Sequence, residues 1–274
     1  MPPAGPHATG SAATPGAIDS SATPGPGAAR DKKNWQQGIE SNVADIMMTN
    51  SGRGQINGLS NNVTRDDKGA ARQGLLGGEM HHKTTIKPLM DSDGKVDNDP
   101  ETGEPKNDLP APWNRDAKSL VTNNAYTEGG DGRLRDDAGN RGTGSDSTIY
   151  LNPGSNRGLR SDVSLVHEME HALSQTQGTG ATGGFGEPGV DVNVNNRERQ
   201  AVGLTRSDGG GVRYAGDPKG CHENKYREER NELGDQFVPR TSVIGVPGEA
   251  PAGTTPEQLK NMWDTHNKGP DAPR

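Results

Sequence analysis

Apolar residues recur three and four positions apart at Trp35, Ile39, Val43, Ile46 and Met47, which predicts an amphipathic helix from Trp35 to Met48 that stops at Asn50-Ser51-Gly52. The stretch from Gly54 to Leu76 mixes helix and turn signals, and Thr84-Thr85-Ile86 with its neighbours predicts one short strand. Asp91 to Pro110 is polar and interrupted by Pro and Gly, so it reads as an exposed loop, and Gly129 to Gly144 as a second, glycine-rich turn region. The clearest order begins at Ser147-Thr148-Ile149-Tyr150-Leu151, a β-branched and aromatic run closed by Asn152-Pro153-Gly154. A helix follows, with Ser161 and Asp162 as candidate N-caps and an apolar body of Val163, Leu165, Val166, Met169, Ala172 and Leu173. Asn195 to Leu204 predicts another short helix, capped by Asn195 or Asn196 and ended near Gly203. His222 to Arg230 is dense in charge and reads as a solvated helix laced with local ion pairs.

The helix after the strand carries His167-Glu168-Met169-Glu170-His171. Residues four apart lie one turn from each other on the same side, so both imidazoles can aim a nitrogen at one ion, with Glu168 beside it. A zinc hydrolase needs this arrangement: two neutral nitrogen donors, an open coordination position for water, and a carboxylate to take the water's proton. Among seven histidines a pair four apart also arises by chance. The intervening Glu, the preceding strand and the apolar helix face favour the chemical reading.

Catalytic zinc sites usually have three protein ligands. Glu198, on the short helix and three residues before the small Ala201, is the preferred third; His222, Glu187 and Asp191 are its rivals. As a surface residue, Glu198 would be a carboxylate favoured near a helix start. The oxyanion of a tetrahedral intermediate would need a donor, for which Tyr214 is a candidate, with Tyr226 and Arg240 as alternatives. Asp91, Asp93, Asp97 and Asp99 invite a calcium-loop reading, but Val96 and Thr102 stand where an EF-hand needs Gly and Glu, so a solvated acidic loop is the expectation.

Composition narrows the picture. Only 27% of the 274 residues are hydrophobic, with 40 glycines, 20 prolines and two phenylalanines, and the mean hydropathy is -0.96. Long stretches therefore bury too little apolar surface to offset the entropy of ordering them. A formal net charge of -7 with scattered Lys and Arg argues against nucleic-acid binding. Cys221, the single cysteine, excludes an intrachain disulfide and a Cys-rich zinc site. No apolar run is long enough to insert in a membrane, and the start lacks a cleavable-signal pattern. The expected organisation is a disordered export or linker segment over 1–33, a catalytic domain over 34–245 with its best-supported core at 144–243, and a flexible tail over 246–274 with a short helix.

The residues that carry this reading also resemble a known family. Gly144 to Pro153, His167 to Ala172, Glu198 to Leu204, Glu223-Asn224, Arg227-Glu228-Glu229 and Pro239-Arg240-Thr241 together resemble the NleD/HopH family of type III secreted zinc metalloprotease effectors. Val243, where an aromatic residue is expected, and an irregular 229–238 stretch depart from the pattern. The resemblance implies a small zincin-like α+β domain with the zinc helix after an edge strand, delivery into a host cell by a type III system, and cleavage of host signalling proteins, protein kinases among them. Its cofactor would be Zn2+, held by His167, His171 and Glu198, with Glu168 as general base. The chain is expected to act as a monomer. A zinc-dependent hydrolase of a non-peptide bond and a catalytically silent host-protein-binding effector are the competing functions.

Overall fold

A computed structural model describes residues 28–61, 63–66, 68, 70–73, 79–87, 125–130, 140–151, 153, 160–182, 192–204, 221–243 and 250–268. Of the segment expected to be disordered, 1–27 lies outside these residues, as does the acidic loop at 91–110, whereas 28–33 belongs to the first helix. The described part is α+β: helices α1 (Ala28–Met47) and α2 (Asn50–Ser60), strands β1 (Thr84–Lys87), β2 (Ala125–Gly129) and β3 (Ser147–Leu151), then helices α3 (Ser161–Thr176), α4 (Val192–Val202), α5 (Glu223–Glu232) and α6 (Pro256–Lys268).

Periodicity marked the first helix from Trp35, and α1 begins seven residues earlier, at Ala28. Asn50-Ser51-Gly52 does not simply end it but opens α2, because Thr49 supplies the N-cap, its Oγ1 accepting from Gly52 N at 3.0 Å. Trp35 anchors α1 to the sheet by donating its indole N–H to Leu151 O at 2.7 Å.

The sheet order is β1-β3-β2, with β3 parallel to β1 and antiparallel to β2. The strand before the motif helix is therefore central, which corrects the expected edge strand. A strand's own residues specify which face is buried, whereas its neighbours come from segments far away in sequence. In β3 that face is well specified: Ile149 and Leu151 are fully buried, and on the other face Tyr150 stacks on its register partner Tyr126 with ring centroids 4.7 Å apart. The edges among the described residues are β1 and β2. β2 had no strong signal in the sequence.

Helix α3 is the axis of the fold. Every residue from Asp162 to Thr176 is buried, since α1, α2, α4, α5 and the sheet all pack against it. Its Val163, Leu165, Val166, Met169 and Ala172 form one core with Trp35, Ile39, Ile46, Ile149, Leu151, Tyr226 and Phe237. Each such aliphatic side chain contributes about 1.5–3 kcal/mol when fully buried. Arg160, whose side chain makes no capping bond to the helix backbone, occupies the N-cap position expected for Ser161 or Asp162. Asp162 sits in the first turn, where a carboxylate suits the helix dipole, and accepts from Arg160 and from the Tyr226 hydroxyl at 2.6 Å.

Helix α4 starts at Val192, before the expected Asn caps, and ends as anticipated at Gly203. Gly203 has φ +87°, and the bonds Leu204 N to Arg199 O and Gly203 N to Gln200 O complete a Schellman ending. Near the C-terminus, part of the segment expected as a flexible tail is docked: Leu259 and Trp263 of α6 pack with Val238, and Trp263 Nε1 donates to Phe237 O at 2.9 Å. No helix among the described residues is long and apolar enough to cross a membrane.

Gly203 joins two constraints, a left-handed backbone and contact with the first residue before α5, for an added Cβ would run into the His222 ring at Nδ1. Gly203→Ala is expected to destabilise the protein by more than about 1 kcal/mol, measured as a lower urea midpoint at unchanged slope.

Candidate metal centre

His167 and His171 stand one turn apart on α3, their rings edge to face with centroids 4.9 Å apart. Glu198 of α4 reaches both. Its Oε2 lies 3.1 Å from His167 Nε2 and its Oε1 3.2 Å from His171 Nε2. One ligand atom from each of the three residues lies within 4.8 Å of the other two. Both histidines are buried, while the Glu198 side chain keeps 26% of its exposure.

Side chains flanking Glu198 determine where it stands. Asn196 donates to Thr182 O at 3.0 Å, and Gln200 accepts from Ala181 N at 2.9 Å. Both bonds tie α4 to the chain just after α3, and Ala201 is fully buried.

Two imidazoles and a carboxylate form the donor set of catalytic zinc sites, which leave one position open. Electrostatics favours a cation here. Burial by itself would disfavour a charged His167 ring, but hydrogen bonds and negative charge from Glu198 and Glu223 outweigh it and push its pKa up to about 10. Burial would likewise raise the Glu198 pKa, yet the charge of His171 and the bonds from both rings hold it well below the usual carboxylate range. A metal ion needs neutral imidazole, so its binding there would displace protons.

Glu168 lies beside this cluster without joining it. Thr127 of β2 donates to its Oε2 at 2.8 Å and also approaches the Glu168 carbonyl at 3.1 Å. A second partner holds the far side of His167, where Nδ1 lies 2.8 Å from Glu223 Oε2. Thr127 was not singled out from the sequence, and Glu223 entered only among the residues of the family resemblance, with no role assigned. Thr127 belongs to a strand with no strong pattern of its own. The sequence signal for Glu223 is its spacing of four from Arg227, which is also the signature of a surface ion pair.

The expectation of a solvated α5 is accordingly corrected. Glu223 and Arg227 have no exposure, and Asn224, Tyr226 and Arg230 are buried too. Burial would raise the Glu223 pKa, but the charges of Arg240 and Arg227 hold it well below the ordinary carboxylate range.

The remaining candidates are placed as follows. His222 is the N-cap of α5, its Nδ1 accepting from Lys225 N at 3.2 Å, and it does not join the cluster. Tyr226 is bonded to Asp162, and burial with the Asp162 charge pushes its hydroxyl pKa up. Arg240 pairs with Glu223 at 2.9 Å and donates to the carbonyls of Ser242 and Val243. Neither is free to serve as an oxyanion donor in this arrangement. Tyr214, Glu187 and Asp191 lie outside the described residues.

No curated protein and no solved structure matches the chain. A family model does: that of Peptidase M91, described as effector protein, matches residues 27–233. The matched span runs from the start of α1 to just past α5 and so contains the histidine pair, Glu168, Glu198 and Glu223. Since it covers well over half of the sequence, the chain belongs to the Peptidase M91 family of effector proteins.

Proposed function

We propose that this protein is an effector zinc metalloprotease that hydrolyses peptide bonds in host proteins, with His167, His171 and Glu198 as metal ligands and Glu168 as general base. The observation that carries the reading is the convergence of three ligand atoms within 4.8 Å on two helices, beside a buried Glu168. Membership of a peptidase family of effector proteins supports both the class of reaction and secretion. Zinc, when bound, supplies the Lewis acidity that makes water a nucleophile near neutral pH.

The protein's own groups account for the rest. Glu168 takes the proton of the attacking water at Oε1, because Thr127 occupies Oε2. The same carboxyl then returns that proton to the departing amine. With Tyr226 and Arg240 engaged elsewhere, Tyr214 is the proposed oxyanion stabiliser. The edge role first assigned to β3 passes to β2, whose outer edge can pair with an extended substrate backbone close to Glu168. In this reading the protein is a monomeric relative of the NleD/HopH effectors, delivered into the host cell by a type III system, with signalling kinases among its substrates.

Metal analysis of the purified protein, combined with profiling of new protein N-termini in host cells expressing wild type or Glu168→Gln, tests the proposal. Cleavages present only with wild type support it. Stoichiometric zinc with identical N-terminal profiles would turn the reading toward a non-peptide substrate.

Glu168→Gln is expected to keep zinc and the melting temperature while lowering kcat by roughly 10²–10⁴-fold; near-native turnover would remove Glu168 from the role of base. Glu198→Ala is expected to lose zinc occupancy and activity together, whereas His222→Ala retains the metal. Elemental analysis of both purified variants decides between them, and zinc lost from His222→Ala but not from Glu198→Ala would reverse the ligand assignment.

A further inference from the structure

His167 is bonded at both ring nitrogens, and the partner at Nδ1 belongs to a network of its own. Glu223 is fully buried on the first turn of α5. Arg227 holds one of its oxygens, with both Nε and Nη2 at 2.8 Å from Oε1. Arg240 Nη1 holds the other, at 2.9 Å from Oε2, the same oxygen that faces His167 Nδ1 at 2.8 Å. A carboxylate buried this deeply is costly without compensation, and two guanidinium groups supply it.

We propose that Glu223 is a positioning residue of the metal centre: it accepts the Nδ1–H of His167, which leaves Nε2 as the nitrogen that binds the cation and fixes the plane of the ring. This rests on the reading of His167, His171 and Glu198 as metal ligands. An imidazole with a free Nδ1 can change tautomer and turn about its ring torsion, and each alternative points the wrong atom at the site. Arg227 and Arg240 keep the carboxylate ionised and prevent its rotation.

The brace extends to the C-terminal part of the chain. Asn224, next to Glu223, clamps the Arg240 peptide, accepting from Arg240 N and donating to Arg240 O at 2.8 Å each. Trp263 of α6 holds Phe237, three residues before Arg240, through its carbonyl. Arg240 and α6 both lie beyond residues 27–233, so the segment after the family match supports a ligand within it.

A network that merely joined α5 to α3 would affect stability alone, and zinc affinity separates the two roles. The full-length wild type, Glu223→Gln, Arg240→Gln and His222→Ala are titrated with Zn2+ against a chromophoric chelator, and each is melted in the presence of EDTA. Glu223→Gln is expected to raise the zinc Kd roughly 10- to 100-fold. Arg240→Gln should raise it severalfold, and His222→Ala, which loses only the cap of α5, should melt earlier at unchanged Kd. Wild-type affinity in Glu223→Gln would overturn the inference while leaving the metal site intact, and so would an equal loss in His222→Ala. Failure of the wild type to bind zinc would instead overturn the metal site itself. If Glu223→Gln has no cooperative melt, Arg240→Gln decides: weaker zinc binding supports the positioning role and unchanged binding removes it.

Discussion

Complete enclosure of α3 is the constraint on which the other features depend. A helix buried on all sides cannot leave its polar side chains to water, and those around the candidate centre take their partners from outside the helix. Asp162 takes Arg160 and Tyr226, Glu168 takes Thr127, His171 takes Glu198, and His167 takes both Glu198 and Glu223. These bonds draw β2, α4 and α5 onto the same helix that the aliphatic core holds from α1 and β3. The architecture that buries the helix and the one that assembles the candidate centre are therefore the same.

This also explains how a chain with so few large apolar residues sustains a defined interior. Part of what would ordinarily be aliphatic contact is replaced by buried ionic contact between α5, the 237–243 segment and α3. Such networks are effective when every member is satisfied and costly when one is missing, because attraction and desolvation both grow as the local dielectric falls. Burial consequently holds Arg227 below its usual pKa, with Arg240 adding to that effect and Glu223 opposing it. The interior is specified by directional pairing as much as by volume.

The two helices bearing the proposed ligands play unequal parts. α3 presents its histidines by spacing alone, whereas α4 must be delivered from across an intervening segment and oriented by bonds from Asn196 and Gln200 to the backbone at 181–182. Gly203 then turns the chain out of α4 beside His222, the cap of α5. The end of α4 is thereby set against the residue that caps α5.

The sequence by itself determined the elements whose signals are local. Alternating burial in β3, the helical spacing of α3 with its histidines four apart, the glycine ending of α4 and the strand at Thr84 all follow from periodicity or turn chemistry within a few residues. Glu198 was preferred as the third candidate because a small residue and a short helix accompany it, and the fold sets it against both histidines. Tertiary structure alone decided that β3 is central, that β2 exists beside it, and that the charged α5 faces inward. It also decided that Tyr226 and Arg240 support other side chains and that α6 is docked. Those outcomes depend on pairings across tens of residues, and the same Glu-to-Arg spacing is compatible with a solvated face or a buried clamp. Which one forms is set by what packs against the helix, and that information is not carried by the helix's own residues.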